Sequence, residues 1–497
     1  MLFNYIMRYI ILHLFFFAIV IGNNQNRLDV NGQANFNYIA RLSNYSIINL
    51  PYRLFSANIK YGSKKFLAQS TIAIEHRIRK STDFLESTSP TDFSWDLREL
   101  YLYWETKLGV LKIGKQISSW GSVDENSPLD IINPIDYYYL FSSGINRKLA
   151  TFSANYTIYK NNTKFNIIFS PIHNTNRIPL NDSEFPIELP LVPEQIQIFN
   201  KEKNPNEYGL QVSQNFRFGD LNIVYFSGFD RVYNFTGVNT WGQGVSLNVP
   251  RFDILFGYRK TEMIGLGGSF FGKFFTLRAD IGFFKTRDLN NQIDRNYPGF
   301  LYISSQGKYV EIFDSFGYDS LHFSFPMNEK ADYYQSTIQI ETELPFDIDL
   351  IGQIFLFENK NYSSDSLPIS EDIPLPVLND MDFSQLNPKN FFTPGIGAPL
   401  AVLSKKISLI SLEKKIFDDQ LKLTFRSMLD IDNARTNEKI PGSLYSLNSE
   451  YNLYDNVLCI AGITKIKSSD DHPDGEDYRF KKMENFSHFH FQLKYFF

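Results

Sequence analysis

Two sets of charged residues have types and spacing that could act on a passing solute. Four acidic residues lie in segment 118–148, and they are Asp124, Glu125, Asp130 and Asp136. Six basic residues stand at polar positions of stretches with apolar neighbours, and they are Arg77, Arg79, Arg217, Arg278, Lys422 and Arg426. If the fold places these sets on opposite sides of a narrow water-filled passage, the field between them orders water and favours polar over apolar solutes. The alternative is that the charges only solvate a wide passage, because strand register cannot be read from one sequence.

The sequence carries no strong pattern for catalysis or metal binding. His488 and His490 share one face of a strand pattern, but two histidines without a placed third ligand make a weak metal site. Ser487 lies on the opposite parity from His488, and no acyl-transfer motif accompanies the pair. We therefore expect a protein that is not an enzyme and that binds no cofactor and no metal.

Composition narrows the class of protein further. The 497 residues carry 49 Lys and Arg against 54 Asp and Glu, a net charge of −5, so an electrostatic nucleic-acid partner is not expected. Cys459 is the one cysteine, which excludes an intramolecular disulfide framework. The unusual feature is the abundance of aromatic residues, with 47 Phe and 29 Tyr, and the fold must give them an environment.

An alternation of period two organises the chain. In residues 28–42 apolar or small residues alternate with polar ones, with Ile39 as the exception, and the alternation returns at 208–218, 275–283 and 421–431. Side chains that alternate in this way lie on opposite faces of a strand.

The connections between the predicted strands alternate between short and long. Short ones fall at Asn161-Asn162, Pro250-Arg251 and Asp455-Asn456, and long ones include 118–148 and 359–401. This arrangement predicts an all-β fold, a transmembrane antiparallel up-and-down β-barrel of 16–20 strands with short periplasmic turns and long outer loops. Phe and Tyr then contact membrane lipid and form the interfacial girdles. A soluble β-sandwich or propeller is the alternative, and it would share only the alternation.

Both ends of the chain agree with a protein of the outer membrane. Arg8, an apolar run and a small residue at Gly22 predict a signal peptide over 1–22 that is cleaved near Gly22, leaving 23–497 as a single barrel domain. An uncleaved anchor is the alternative. One face of the last strand consists of Phe489, Phe491, Leu493, Tyr495 and Phe497. This pattern resembles the C-terminal sorting signal of bacterial outer-membrane barrels, which implies recognition by the barrel-assembly machinery.

Segment 97–141 resembles a poorly characterised family of porin-like outer-membrane proteins. The shared positions are Arg98, Glu99, Gly114, Lys115, Gln116, Trp120, Gly121, Asp124, Asn133, Pro134 and Asp136. The resemblance implies a barrel with a pore, and because the third outer loop of trimeric porins narrows the lumen, it implies that 118–148 is a constriction loop. Lys115 departs from expectation, because its parity with Ile113 points it toward lipid unless a bulge near Gly114 resets the face.

These features together predict a porin or channel for the passive or substrate-selective diffusion of small polar solutes, working as one unit or as a homotrimer. The sequence does not identify the solute. Two alternatives stay open: a gated outer-membrane transporter of apolar or carbohydrate compounds, and a non-conducting surface or adhesive barrel.

Overall fold

The computed structural model describes residues 27–77, 93–140, 144–180, 182, 184–187, 204–243, 251–289, 302–304, 320–365, 392–432 and 440–497. The predicted signal peptide, 1–22, and Arg79 lie outside these residues.

Strands make up most of the described residues. In chain order the strands are β1 (Arg27–Arg41), β2 (Tyr52–Gly62), β3 (Phe66–His76), β4 (Phe93–Glu105), β5 (Gly109–Gln116), β6 (Thr151–Lys160), β7 (Thr163–Ser170), β8 (Glu207–Phe216), β9 (Gly219–Phe229), β10 (Asn234–Gln243), β11 (Arg251–Gly257), β12 (Lys260–Phe271), β13 (Phe275–Arg287), β14 (Tyr302–Ser304), β15 (Ser320–Pro326), β16 (Lys330–Leu344), β17 (Ile348–Ser363), β18 (Lys406–Ile416), β19 (Leu421–Asp430), β20 (Gly442–Tyr454), β21 (Val457–Ser468) and β22 (His488–Phe496). One short α-helix, α1 (Arg479–Met483), precedes β22. No helix in the described part of the chain is long and apolar enough to cross a membrane.

Eighteen of these strands form one closed antiparallel sheet. Each strand pairs with its neighbours in the chain, and β1 pairs with both β2 and β22. In the seam between the first and last strands, Gln33 is the partner of Phe496 and Arg41 that of His488. The predicted barrel of 16–20 strands is therefore confirmed, at eighteen.

The connections divide between the two edges of the barrel. At one edge, consecutive strands are joined by turns of two to four residues, such as 161–162 and 345–347. At the other edge the connections are longer, from ten residues at 42–51 to 42 residues at 288–329 and at 364–405. We call these the turn edge and the loop edge.

Four of the strands do not belong to the barrel. β10, β11, β14 and β15 form a second sheet within the long connections β9–β12 and β13–β16. The prediction of a barrel turn at Pro250-Arg251 is wrong for this reason, since Arg251 begins β11 of the second sheet. A period of two indicates a strand but not the sheet to which the strand belongs, so the sequence pattern did not separate the two sheets.

The two faces of the barrel wall have different chemistry. In β8, Tyr208 and Leu210 are exposed on the outside while Gln211 is buried on the inside. In β13, Leu277 and Phe283 are exposed on the outside and Asp280 lies inside, 2% exposed. A closed barrel with an apolar outer surface is the architecture of a bacterial outer-membrane protein, because hydrocarbon leaves no partner for an unpaired backbone group.

The last strand follows the predicted alternation. Phe489, Leu493, Tyr495 and Phe497 are exposed, and Phe491 is half-buried on the same face. Backbone hydrogen bonds join Phe497 to Gly32, 3.0 Å from the Gly32 N–H to the Phe497 carbonyl and 3.1 Å in the reverse direction. The Phe497 ring stacks on Phe55 of β2, with 5.4 Å between ring centroids.

A charge at an outward position is expected to impair assembly, whereas the same charge one residue away is not. Phe425 of β19 faces outward between Leu412 and Leu447, so Phe425→Arg should cost about 2–4 kcal/mol of stability in lipid. Thr424 faces the lumen, so Thr424→Arg should fold like the wild type. Urea titration of both variants in lipid vesicles checks this, with folding followed by heat-dependent mobility on a gel. Equal loss in the two variants would contradict the assignment of faces.

Removing the Phe497 ring is expected to weaken the seam. Phe497→Ala keeps both backbone bonds to Gly32 but loses the stack on Phe55, so its barrel should unfold at a lower temperature than the wild type. Phe497→Tyr keeps the ring and is the matched control. Melting followed by circular dichroism in detergent measures the difference, and identical midpoints for the Ala and Tyr variants would show that the ring does not contribute.

Candidate pore and its inward segment

Residues 117–140 and 144–150, in the connection between β5 and β6, fold into the barrel, and we call them the inward segment. Asn133 joins its two ends. The Asn133 amide nitrogen donates to the carbonyls of Gln116, at 3.1 Å, and Leu149, at 2.8 Å, while its amide oxygen accepts the Ser118 N–H at 2.7 Å. The Leu149 N–H donates to the Pro134 carbonyl at 2.8 Å. The segment therefore leaves and re-enters the wall at neighbouring strands.

The residues that carry the family resemblance in β4 and β5 support this entry point. The Glu99 carboxylate accepts the Ile117 N–H at 2.9 Å, and the Arg98 guanidinium donates to the Lys148 carbonyl at 3.2 Å. Gly114 has φ +137°, and a Cβ there would lie 2.3 Å from a carbonyl oxygen of β4, so another residue would not fit.

Lys115 keeps the outward parity, and no bulge at Gly114 resets it. The register between β4 and β5 is continuous there, and the shift falls instead between β3 and β4, where Arg98 is the extra residue. The Lys115 ammonium donates to the Leu97 carbonyl, close to that bulge. A charge on the outer face is thus satisfied by the backbone of the neighbouring strand.

The far end of the inward segment is held by a single carboxylate on the opposite wall. Asp280 of β13 accepts the backbone N–H of Ser122 at 2.8 Å and that of Val123 at 2.9 Å. Gly121 has φ +90°, and a Cβ there would lie 2.8 Å from the Asp280 carboxylate. The glycine therefore lets the backbone approach closely enough for both bonds to form.

Two glutamines of the wall make a second anchor. Gln339 of β16 accepts the Asp124 N–H at 3.0 Å, and Gln353 of β17 donates to the Asp124 carbonyl at 2.9 Å. The Asn126 side chain donates to the Gln353 side chain at 2.9 Å, and its carbonyl accepts the Thr337 hydroxyl at 2.7 Å. These wall residues are 211 to 229 positions away in the chain, so the anchor exists only once the barrel has closed.

Apolar packing completes the attachment. Leu129 and Ile131 are buried in a cluster that includes Met263 and Phe284, which point inward from β12 and β13. The Trp120 indole N–H donates to the Asn166 side chain of β7 at 2.9 Å. The segment thus has one face against the wall and one face toward the remaining lumen.

The four predicted acidic residues divide between these environments. Asp124 and Glu125 line the open lumen. Asp130 instead forms an ion pair with Lys148 inside the segment. Asp136 is fully buried, with its carboxylate 3.2 Å from Arg177. Burial raises the pKa of Asp136, and the Arg177 guanidinium opposes that rise.

The predicted basic residues are more dispersed. Arg278 contacts the inward segment, since its guanidinium lies 3.4 Å from Asp124 and 2.9 Å from Glu341. Lys422 and Arg426 line the lumen from β19, and the Lys422 ammonium lies 3.0 Å from Glu450.

Arg217 does not face the inward segment, and Arg77 reaches it only through Asp182, which accepts the Tyr138 hydroxyl at 2.8 Å. Arg77 follows β3 at the loop edge and pairs with Asp182 at 3.0 Å. Arg217 lies in the turn between β8 and β9, at the opposite edge of the barrel, and is exposed. The prediction assumed that both residues continue the alternation of a strand and so face the lumen. β3 and β8 end one residue before Arg77 and Arg217, so the alternation does not apply to them.

A cavity of about 750 Å³ remains between the inward segment and the wall formed by β1, β2 and β17–β22. Near the loop edge its lining is mainly apolar, with Ile39, Leu403 and Leu444 among its residues. Toward the turn edge it is polar and charged, and these residues are Gln33, Asn35, Lys422, Asn448, Glu450, Gln492 and Lys494. A solute crossing the barrel would pass the apolar zone and the polar zone in turn.

Two arginines of the lining were missed by the sequence analysis. The Arg53 guanidinium stacks on Tyr139, 3.8 Å from the ring centroid, and donates to the Asn146 carbonyl at 2.8 Å. Arg147 is buried at the same cavity, and burial lowers its pKa. Neither lies in a clear alternating stretch, so period two gave no signal, and only their contacts with the inward segment reveal them.

Comparison with solved structures finds outer-membrane proteins of low sequence identity. OccAB2 of Acinetobacter baumannii is 10% identical, with a TM-score of 0.46, and the match covers 95% of this chain and 98% of that one. The outer-membrane protein OpdK of Pseudomonas aeruginosa gives the same identity, TM-score and share of this chain, with 99% of its own chain covered. The outer-membrane channel DcaP of A. baumannii is 10% identical, with a TM-score of 0.39 over 96% of this chain and 99% of its own. No protein-family model and no curated protein sequence matches the chain.

Proposed function

We propose that this protein is an outer-membrane channel for the passive diffusion of small polar solutes and is not an enzyme. The observation that carries the proposal is the 750 Å³ cavity left between the anchored inward segment and the charged wall of the closed barrel. A barrel of this strand number encloses more space than its own side chains fill. Here the inward segment takes up part of that space and leaves a passage.

Charges of both signs face this passage and give it its selectivity. Asp124 and Glu125 lie on the inward segment, and Arg426 and Lys494 lie on the wall across the cavity. Opposed charges in a low-dielectric surrounding create a transverse field, which favours solutes with polar groups over purely apolar ones. The charged pairs that stay within one side, such as Lys422 with Glu450, contribute less to that field.

A gated transporter is the second candidate, and a further segment in the lumen supports it. In residues 392–405, Ile396 and Leu400 are buried in the same cluster as the inward segment. The Gln335 side chain of β16 holds this segment, donating to the Ile396 carbonyl at 3.0 Å and accepting the Ala398 N–H at 2.8 Å. A gate built from it would give current only when a particular solute is present.

Export and assembly belong to the same proposal. Residues 1–22 would direct export and be removed near Gly22, which sequencing of the N-terminus of the mature protein would test. The last strand, with Phe497 at its end, would be recognised by the barrel-assembly machinery. Three copies would associate as a homotrimer, and mass measurement in mild detergent would distinguish a trimer from a monomer.

Conductance of the refolded chain in a planar bilayer tests the channel directly. Steady current steps under a salt gradient are expected, and the reversal potential reports whether the acidic segment or the basic wall dominates. If a β-rich and membrane-inserted preparation gave no steps, the channel proposal would fail and the gated transporter would take its place. Steps that appear or close only with one class of solute would also favour the transporter.

Loosening the inward segment is expected to widen the passage. Asp280→Ala removes two hydrogen bonds to a charged acceptor, each worth about 1.5–3 kcal/mol, so the segment should detach and the conductance should rise and become noisier. Asp332→Ala, on the outward face of β16, is the control and should conduct like the wild type. Unchanged conductance of a folded Asp280→Ala barrel would show that the segment does not limit the current.

A further inference from the structure

Three cations stand side by side on the outer face of the barrel at the loop edge. Lys260 is the first residue of β12, Arg287 is the last of β13 and Lys330 is the first of β16. Lys260 is the direct register partner of Arg287, and Arg287 is that of Lys330. We call these three residues the cation row.

The alternation of the strands points all three side chains away from the lumen. Their chain neighbours Thr261, Thr286 and Ala331 are buried on the inner side. Arg287 and Lys330 are exposed, and Lys260 is half-buried, with its ammonium 4.5 Å from the centroid of the Phe229 ring.

Described carboxylates offset only the Lys260 end of the row, where the charges of Glu207 and Glu262 favour the charged ammonium. Directly opposite residues of antiparallel strands have Cα atoms about 4.5–5.5 Å apart, and like charges at such positions destabilise a sheet. None of the three residues forms an ion pair with a described carboxylate. The acids closest in the chain are engaged elsewhere, since Glu329 pairs with Arg259 and Asp288 accepts the Glu329 N–H at 2.9 Å.

The outward-facing rows of residues nearer the turn edge do not share this excess of positive charge. Two residues toward the turn edge, the outward row is Glu262, Lys285 and Asp332, in which each charge has an opposite charge as its direct partner. Two residues further on, the outward row is Ile264, Phe283 and Tyr334. Neighbouring charges have opposite signs in the second row, whereas all three have the same sign in the cation row.

The height of the row identifies its surroundings. It lies four residues, about 13 Å along the strand, from the apolar row that begins with Ile264. Beyond the end of an apolar band of a membrane barrel lie the headgroups of the outer leaflet, and phosphate groups are their anionic part. Because the row adjoins an apolar surface, one molecule can contact both with its headgroup and its acyl chains.

We propose that the cation row binds a phosphate group of a phosphorylated lipid in the outer leaflet. The planar guanidinium of Arg287 can donate two parallel hydrogen bonds to phosphate oxygens, and Lys260 and Lys330 on either side supply point charges. A bound phosphate monoester, with a charge of about −1.5 to −2, offsets most of the repulsion within the row. The proposal rests on the membrane location proposed above, but not on an open pore.

Lipid binding to the folded, detergent-solubilised full chain tests the proposal. The probe is a bisphosphorylated glycolipid, titrated and counted by native mass spectrometry, beside the same lipid without its phosphates and beside inorganic phosphate. The wild type is expected to retain the phosphorylated lipid about tenfold more tightly than the dephosphorylated one. The double variant Arg287→Gln with Lys330→Gln is expected to lose that difference.

Lys285→Gln is the matched control, because it removes one outward cation of the next row and should keep the preference for phosphate. Equal loss in Lys285→Gln and in the double variant would overturn the proposal in favour of general charge attraction, and an undiminished preference in the double variant would overturn it outright. If inorganic phosphate displaces the lipid, the row binds phosphate without the acyl chains, and the proposal of a lipid site is wrong.

Heat-dependent gel mobility establishes that the double variant is folded. Its conductance should equal that of the wild type, so a failure here is distinct from a failure of the channel proposal.

Discussion

The closure of β22 onto β1 is the constraint on which the remaining structure depends. In hydrocarbon an unpaired N–H or C=O has no water to bond, so a spanning sheet cannot keep an open edge. The seam from Gln33 and Phe496 to Arg41 and His488 removes that edge, and the bonds between Gly32 and Phe497 extend it by one residue. Closure also defines an inside and an outside, and from that division follows the alternation of polar and apolar residues along each strand.

Closure at eighteen strands creates a second requirement, because the interior is too wide for side chains from the wall to fill. The inward segment fills part of this interior with its backbone as well as with its side chains. A buried irregular backbone needs hydrogen-bond partners, and the polar inner face of the wall offers them in Asp280, Gln339 and Gln353. The polar inner face of the wall therefore holds the segment in place, and the cavity remains on the side of β1, β2 and β17–β22.

Local pattern predicted the wall but not the contents of the lumen. The period of two identified the barrel, the edge with short turns and the faces of β8, β13 and β22, because each depends on neighbours two residues apart. Asp280 lies 158 positions after Ser122 in the chain, so its place opposite Ser122 depends on the register of every strand between them. Asp130 and Asp136 looked like pore acids by composition but fold inside the segment, and Arg53, which lines the cavity, gave no periodic signal.

The inner and outer faces of the wall differ in how their charged side chains are paired. Because of this difference the two proposals are independent. Inside, charged side chains largely find partners within the protein, as Arg278 does with Glu341 and Lys422 with Glu450. On the outer face, Lys285 has Glu262 and Asp332 as its register partners, whereas no residue of the cation row at the loop edge forms an ion pair with a described carboxylate. Unpaired charge at a fixed height on the outer surface is costly in a sheet, and it is tolerable where the surrounding medium provides the counter-charge. Under the two proposals, the lumen selects solutes by the field of the protein's own charges, whereas the cation row on the outer face takes its counter-charge from the membrane.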